Sequence, residues 1–188
     1  MDEKPFQLLS EVRTPIPMRC GRVKKIDSEY KREGTCSIFI FTEALAGWRY
    51  AEAFEHRTKK DWAYRVQWVL DNQYPDAEKV VLVMDNLNTH VISALYETFR
   101  PEEALRLSQR LEIHYTPKHG SWLDIAEIEL SALATQYLGN RRIPSIKELN
   151  KELLVWETQR NSNQKGVNWH FTTDDARTKL KRLYPIVV

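Results

Sequence analysis

The chain carries a carboxylate directly after its most apolar short segment. Asp85 follows Val80-Val81-Leu82-Val83-Met84, a continuous apolar run that is too short for a typical helix. Such a run is typical of a strand buried on both faces of an α/β sheet, and ligands bind at the carboxyl ends of such strands. An ionised Asp85 needs a partner there. Two remain open: a metal ion, or the N-terminus of a following helix that Asp85 would cap.

A second carboxylate falls on the apolar side of a predicted helix. Ser121 can cap a helix over about 122–138. At 100° per residue with Leu123 as the reference, Glu127 lies inside the apolar arc, whereas Asp124 and Glu129 lie on more polar ground. Buried carboxylates at Asp85 and Glu127 favour a shared cation. The alternative is that Glu127 reaches solvent or pairs with an arginine.

The elements that must position these residues alternate between strands and helices. The patterns predict a hairpin, a helix capped by Thr58 and Asp61, a further strand and a helix opened by the Ser145 and Glu148 capping box. A polar stretch over 12–34 is predicted to be a long loop with short extended pieces. The expected class is a mixed α/β sheet. The predicted ranges are Thr35–Thr42 with Trp48–Phe54 for the hairpin, about 59–73, Leu111–Tyr115 and 146–160.

Length and composition limit the class of protein. The 188 residues and 22.2 kDa fit one domain. The chain is 42% hydrophobic and 29% charged, which excludes wholesale disorder and collagen-like repeats. It has neither an apolar run long enough to span a bilayer nor a signal-peptide pattern, so a cytoplasmic protein is expected. Cys20 and Cys36 lack the spacing of a zinc site or a disulfide framework and are expected to be free thiols.

The formal charge of +2 is unevenly distributed. Residues 19–32 carry +4 and 141–188 carry +5, whereas 33–140 carry −6. An acidic centre between basic flanks suits a protein that holds divalent cations centrally and phosphate at its edges. Solvated surface charge is the alternative interpretation.

Several ordered blocks resemble the catalytic domain of bacterial insertion-sequence transposases. The resemblance is closest to the insertion-sequence 630 family of the Tc/mariner superfamily and covers nearly the whole chain. An acidic residue at position 2 is by itself more often part of a frayed terminus than a ligand, so Asp2 enters only through this resemblance. The main blocks are Asp2-Glu3-Lys4, Asp85-Asn86-Leu87-Asn88-Thr89-His90, and Tyr115-Thr116-Pro117-Lys118-His119-Gly120-Ser121-Trp122-Leu123 running into Glu127.

The resemblance implies a ribonuclease H-like fold with a mixed sheet flanked by helices. A core over about 1–140 would precede a basic helical part over about 141–188, within a single domain. The implied DDE triad, which is both catalytic and metal-binding, is Asp2 on the first strand, Asp85 on the fourth and Glu127 on the following helix. The family has Asn where this chain has Asp124, so an extra carboxylate is expected near the site.

The implied cofactors are two Mg²⁺ or Mn²⁺ ions about 4 Å apart, which would support phosphodiester hydrolysis and transesterification. His90 and His119 are candidates to approach the scissile phosphate, with a structural histidine as the alternative. Trp48, Trp122 and Trp169 either stack on an unpaired base or pack in the core. Further accessory candidates are Asn86, Lys118 and Asp124, and the candidate DNA contacts are Arg22, Lys24, Lys25, Arg141, Arg142, Lys179, Lys181 and Arg182.

The expected function is a DNA transposase catalytic domain that cleaves and transfers strands at insertion-sequence ends. Its implied partners are terminal-repeat and target DNA and a second copy in a homodimer on DNA. Only Met1 stands before Asp2, whereas the family has a leading strand and a helix-turn-helix region, so an N-terminal truncation with a separately encoded helix-turn-helix segment is expected. Two alternatives remain: an inactive remnant that binds DNA or a partner, and a nuclease of the same fold.

Overall fold

The computed structural model describes residues 1–117, 124–163, 166 and 172–179. The strands in these residues are β1 (Asp2–Glu11), β2 (Tyr30–Glu43), β3 (Trp48–Phe54), β4 (Val80–Met84) and β5 (Leu111–Tyr115). The helices are α1 (Lys59–Trp68), α2 (Ser93–Thr98), α3 (Pro101–Gln109), α4 (Ile125–Ala132), α5 (Ile146–Asn163) and α6 (Thr173–Lys179). π-helical turns over Val69–Gln73 and Leu133–Leu138 extend α1 and α4.

The strands form two small sheets. β1, β2 and β3 form an antiparallel sheet in that order, with Asp2 opposite Ile40 and Ser37 opposite Phe54. β4 and β5 pair in parallel, with Val80 opposite Leu111. The predicted mixed α/β class is therefore confirmed, but the described strands form two separate sheets and not the single mixed sheet that was expected.

The antiparallel sheet is covered by helices on both faces. Successive side chains of a strand point to opposite faces, and β2 is apolar at consecutive positions, so it supplies both cores. Phe39 and Phe41 belong to a cluster with residues of α1, α2, α3 and β4. Ile38 and Ile40 belong to a second cluster with residues of α4 and α5. The two cores fix α4 relative to the sheet that carries Asp2.

Helix α5 closes the outer edge of the sheet with its side chains. The Asn150 amide accepts from the Ala53 backbone N–H at 2.7 Å and donates to the Ala53 carbonyl at 3.0 Å. Asn161 makes the same two contacts with Arg49, at 2.9 and 2.7 Å. These amides replace a neighbouring strand, so the backbone groups of edge strand β3 are paired.

Strand β4 departs from its predicted burial. Its run was expected to be covered on both faces, but Val81 and Val83 are 58% and 44% exposed, while Leu82 and Met84 are buried. In the described part of the chain β4 pairs only with β5, and apolar residues pack on one of its faces. The apolar run therefore identified the strand correctly but not its solvent-exposed side.

Most predicted elements are confirmed. The hairpin forms as expected, although β2 begins at Tyr30, inside the predicted loop. Thr58 and Asp61 form the capping box of α1, and Ser145 Oγ accepts from the Glu148 N–H at 3.2 Å at the start of α5. Strand β1 was expected only through the resemblance, which places Asp2 on the first strand, and helices α2 and α3 were not predicted.

The helix expected over 122–138 starts later, at Ile125, and its N-cap is Asp124. Ser121, the predicted cap, lies outside the described residues.

Among the helices that the structure describes, none combines the length and the apolar character needed to cross a membrane.

Candidate active site

Acidic residues from three distant segments meet beside the start of β1. Asp2 is the first residue of β1, Asp85 directly follows β4, and Asp124 and Glu127 lie at the N-terminus of α4. The Met1 ammonium donates to the Val83 carbonyl at 2.6 Å, which joins the start of β1 to the end of β4. The fold therefore brings the three predicted triad segments to one region.

The carboxylates in this region repel one another. Burial raises the pKa of Asp2 to about 6, and the charges of Asp124, Asp85 and Glu3 add to this rise. A hydrogen bond from the Glu3 N–H to Asp2 Oδ1, 2.7 Å long, acts in the opposite direction. Such a cluster is destabilising when fully ionised unless a cation lies within it.

Asp124 is the most enclosed member of this group. Its side chain is buried, and its Oδ1 accepts the N-cap hydrogen bond from the Ala126 N–H at 2.9 Å. Burial raises its pKa, the Met1 ammonium and the Ala126 N–H lower it, and Asp85 and Glu127 raise it further, with a net rise. Its Oδ2 is buried and accepts no hydrogen bond from the described part of the chain. Asp124, which sequence reasoning placed on polar ground, is therefore a central residue of the site.

The expected burial of Glu127 is wrong. Glu127 is exposed, whereas Glu129 is buried and its Oε1 lies 2.7 Å from Arg49 Nη2. The helical wheel used Leu123 as its reference, but α4 begins at Ile125 and its apolar residues point roughly 110° away from Glu127. Glu127 still lies in the first turn, close enough to raise the pKa of Asp124, so its place in the triad stays a prediction.

The structure distinguishes the two interpretations of His90. Its ring is completely buried and does not face solvent, which argues against contact with a scissile phosphate. Nδ1 lies 2.8 Å from Asp85 Oδ1, and Nε2 lies 2.9 Å from Glu3 Oε2. Burial lowers the pKa of His90, but Glu3 and Asp85 together outweigh it and raise the pKa. The structural alternative for this histidine therefore describes it better.

The remaining accessory candidates are more dispersed. Asn86 is exposed next to Asp85. Trp48 packs between Tyr50 and Tyr74, with ring centroids 6.5 and 6.0 Å away, so core packing describes it better than base stacking. The predicted residues Lys118, His119, Trp122, Trp169, Lys181 and Arg182 lie outside the described residues.

The basic candidates divide into exposed residues and anchored ones. Three of them, Arg22, Lys24 and Lys25, are exposed on the loop over 12–29. Isolated antiparallel β-bridges between Ile16 and Lys25 and between Arg19 and Arg22 join the two sides of this loop. Lys179 is exposed on α6.

The two neighbouring arginines are engaged within the protein. The guanidinium of Arg142 pairs with Glu11 and donates to the carbonyls of Asp27 and Glu29, at 2.6 and 2.7 Å. Arg141 pairs with Glu152 at 2.6 Å. Arg142 therefore joins β1 to the loop over 12–29, and its predicted contact with DNA stays a prediction.

Comparison with family models identifies the chain. Residues 1–150 match the family described as DDE superfamily endonuclease. The chain belongs to this DDE superfamily endonuclease family. Neither the curated proteins nor the solved structures that were compared with it include a match. The family supports a nuclease- or transposase-type function with DNA as the substrate, and the mixed α/β architecture is compatible with a DDE nuclease fold.

DDE-type nuclease domains generally use divalent metal ions, and the donor set of this DDE endonuclease domain fits such ions. Asp2, Asp85, Asp124 and Glu127 offer hard oxygen ligands, which Mg²⁺ and Mn²⁺ prefer. Asp124 Oδ2, which accepts no hydrogen bond from the described residues, and the raised pKa of Asp2 indicate negative charge without full compensation. No three His, Cys, Asp or Glu side chains among the described residues already surround one ion position. The donor chemistry fits, and closure around an ion would require side-chain rearrangement.

Proposed function

We propose that this DDE endonuclease domain is the catalytic domain of a DNA transposase that cleaves and transfers strands at insertion-sequence ends. The observation that carries the proposal is the convergence of β1, β4 and α4 on one acidic centre. The motif blocks around Asp85 and Glu127 support a place in the insertion-sequence 630 family of the Tc/mariner superfamily, with a ribonuclease H-like core over about 1–140.

The proposed metal ligands are Asp2, Asp85 and Glu127, with Asp124 beside them. Bound Mg²⁺ or Mn²⁺ ions supply activation of the attacking oxygen and stabilisation of the leaving oxygen. The chain itself contributes orientation. The N-cap bond holds Asp124, and the β1–β2 pairing holds the backbone of Asp2 opposite Ile40.

The proposed substrate contacts lie outside the acidic centre. The exposed residues Arg22, Lys24 and Lys25 lie on the loop over 12–29, where they can neutralise phosphates of terminal-repeat and target DNA. Arg142 contributes indirectly to DNA binding, because its hydrogen bonds hold that loop in place. We also propose that the domain forms a homodimer on DNA and acts with a separately encoded helix-turn-helix segment. Its basic helical part would lie over about 141–188.

The test is cleavage and joining of labelled terminal-repeat DNA by purified protein with Mg²⁺ or Mn²⁺. We expect metal-dependent nicks with 3′-hydroxyl ends and joined products, and we expect Asp85→Ala to abolish both. Asp174→Asn is the matched control, because Asp174 is an exposed carboxylate on α6 outside the acidic centre. Equal activity of wild type and Asp85→Ala would overturn the proposal.

A second candidate is a chain that binds DNA without cleaving it. It is favoured by the absence, among the described residues, of three ligands already arranged around one ion position. This candidate predicts salt-dependent DNA binding without nicks at any metal concentration. A third outcome, nicks without joined products, would identify a nuclease.

A further inference from the structure

The geometry points to Glu3 and His90 as positioning residues that fix the orientation of the Asp85 carboxylate for metal binding. This inference rests on the proposed function, since it concerns how the chain holds one proposed ligand. The observation behind it is a continuous carboxylate–imidazole–carboxylate line from β1 to the end of β4. Glu3 Oε2 lies 2.9 Å from His90 Nε2, and His90 Nδ1 lies 2.8 Å from Asp85 Oδ1.

The line runs from the interior of the protein to its surface. The side chain of Glu3 is 3% exposed and that of His90 is fully buried, whereas the side chain of Asp85 is 39% exposed. Only the last carboxylate can therefore reach a metal ion or DNA. The first two groups act through Asp85 rather than on the substrate.

Glu3 and His90 are both held by backbone structure. Glu3 lies in β1, where it pairs with Phe39 of the central strand β2. The His90 backbone donates to the Leu87 carbonyl at 3.0 Å, and its own carbonyl accepts from the Tyr115 hydroxyl at 2.7 Å. Trp62 packs near the ring, with centroids 6.2 Å apart. The imidazole therefore has little freedom to rotate away from Asp85.

One carboxylate oxygen of Asp85 is therefore held by contacts within the protein. Oδ1 faces His90 and also accepts from the Leu87 N–H at 3.3 Å. Oδ2 is then the oxygen that we assign to a metal ion. Hydrogen bonds to a ligating carboxylate fix its orientation, and their removal typically costs 10- to 100-fold in metal affinity.

The test uses two amide variants that each keep one of the two ring contacts. The side-chain amide of His90→Asn can replace Nδ1, which faces Asp85, while that of His90→Gln can replace Nε2, which faces Glu3. Mn²⁺ binding is measured by calorimetry and by electron paramagnetic resonance. Thermal unfolding of each variant reports whether the fold is retained.

We expect His90→Asn to bind Mn²⁺ within about threefold of wild type and His90→Gln to bind about 10- to 100-fold more weakly. His114→Gln is the matched control. His114 also pairs with a glutamate, Glu112, at 2.7 Å, but that pair is exposed on β5. This control is expected to leave Mn²⁺ affinity unchanged. A purely structural role for His90 predicts equal Mn²⁺ affinity in both folded variants, which would overturn the inference.

Glu3→Ala provides a second path if His90→Gln does not fold. It removes the inner carboxylate while leaving the backbone pairing of β1 intact, and it is expected to weaken Mn²⁺ binding about three- to tenfold. Unchanged affinity in folded Glu3→Ala would overturn the inference.

Asp85→Ala separates this inference from the proposed function. Equal Mn²⁺ binding by wild type and Asp85→Ala would refute the metal site itself. Loss of binding in Asp85→Ala, together with wild-type affinity in the His90 variants, would refute only the positioning role.

Discussion

Helix α4 carries two buried carboxylates with opposite surroundings. Glu129 faces the buried Arg49, with Oε1 2.7 Å from Nη2. Asp124 faces Asp85 and Glu127, which raise its pKa, while the Met1 ammonium lowers it. One oxygen of each, Oε2 of Glu129 and Oδ2 of Asp124, accepts no hydrogen bond from the described part of the chain. The difference between them is therefore the sign of the neighbouring side-chain charge.

This contrast separates a carboxylate that holds the fold together from one that we propose serves a metal ion. A buried ion pair joins α4 to β3. At the acidic centre the Met1 ammonium lies near the carboxylates, but the pKa of Asp2 and of Asp124 is still raised, so negative charge remains for a further cation to offset. The same helix thus uses one acidic residue for its own attachment and presents others to the acidic centre.

The largest expected effect on stability comes from breaking the buried ion pair between Glu129 of α4 and Arg49 of β3. Glu129→Gln removes the negative charge that lies 2.7 Å from the buried guanidinium of Arg49, which should lower the free energy of unfolding by about 3–5 kcal/mol. Urea denaturation measures the change. Glu152→Gln, which breaks the exposed pair with Arg141, is the control and should cost no more than about 1 kcal/mol. A change below about 0.5 kcal/mol in the free energy of unfolding of Glu129→Gln would contradict the contrast between Glu129 and Asp124, because the ion pair would then not stabilise the fold.

The second effect is stabilisation by metal. Saturation with Mn²⁺ at about 100 times its dissociation constant should raise the free energy of unfolding by about 2.7 kcal/mol in wild type. Asp85→Ala should lose this response, because it removes a proposed ligand. Chemical denaturation with and without Mn²⁺ measures both. An equal response in wild type and variant would place the bound ions elsewhere.

The third effect is opposite in sign to that of Glu129→Gln. Asp124→Asn should stabilise the metal-free protein at pH 7.5, since burial and the charges of Asp85 and Glu127 outweigh the Met1 ammonium and the Ala126 N–H and disfavour the ionised form of Asp124. Asn is as good an N-cap as Asp, so the bond to Ala126 can persist. Urea denaturation in the presence of a chelator tests this. Destabilisation by more than 1 kcal/mol would show that Asp124 is satisfied within the fold.

The fourth effect is a dependence of stability on pH. The pKa of Asp2 is about 6 in the folded protein and 3.8 as its ordinary value. The folded state therefore binds more protons between these values, so the stability of the metal-free protein should fall as pH rises from about 4 to 6.5. With partial exposure of Asp2, the contribution is about 1 kcal/mol. Asp2→Asn should flatten this part of the pH profile, and an unchanged slope would contradict the account.

The smallest expected effect on stability is that of Glu127→Gln. Glu127 is exposed, so the free energy of unfolding should change by less than about 0.5 kcal/mol. Metal-dependent nicking should nevertheless fall at least tenfold if Glu127 is a ligand. Full nicking activity in this variant would indicate that Asp124, and not Glu127, is the third residue of the triad.

Much of the fold could be predicted from local patterns. The strand before Asp85, the hairpin, the Thr58–Asp61 capping box and the N-cap bond of Ser145 all depend on short-range sequence features, and the structure contains each of them. Local patterns alone did not predict strand β1, because Pro5 and the charged residues at its start conceal its pairing with β2, which long-range contacts determine. Helix α3 had an available signal in Pro101, followed by Glu102 and Glu103.

The acidic centre could be predicted only in outline. The position of Asp85 followed from its strand, but the orientation of α4 did not follow from a helical wheel. The wheel assumed that the helix begins before Leu123, whereas Asp124 caps it. The pairing of Arg49 with Glu129 and of His90 with Glu3 joins residues 80 and 87 positions apart. No local pattern contains such contacts, because tertiary packing creates them.

The most direct test of the acidic centre is anomalous diffraction from crystals of the protein grown with Mn²⁺. We expect an anomalous peak bound by Asp2 and Asp85 and by a carboxylate at the N-terminus of α4. We also expect no Mn²⁺ beside the Arg49–Glu129 pair. Saturating Mn²⁺ without a peak at the acidic centre, or with peaks only at exposed carboxylates, would contradict the claim that these segments converge to bind metal.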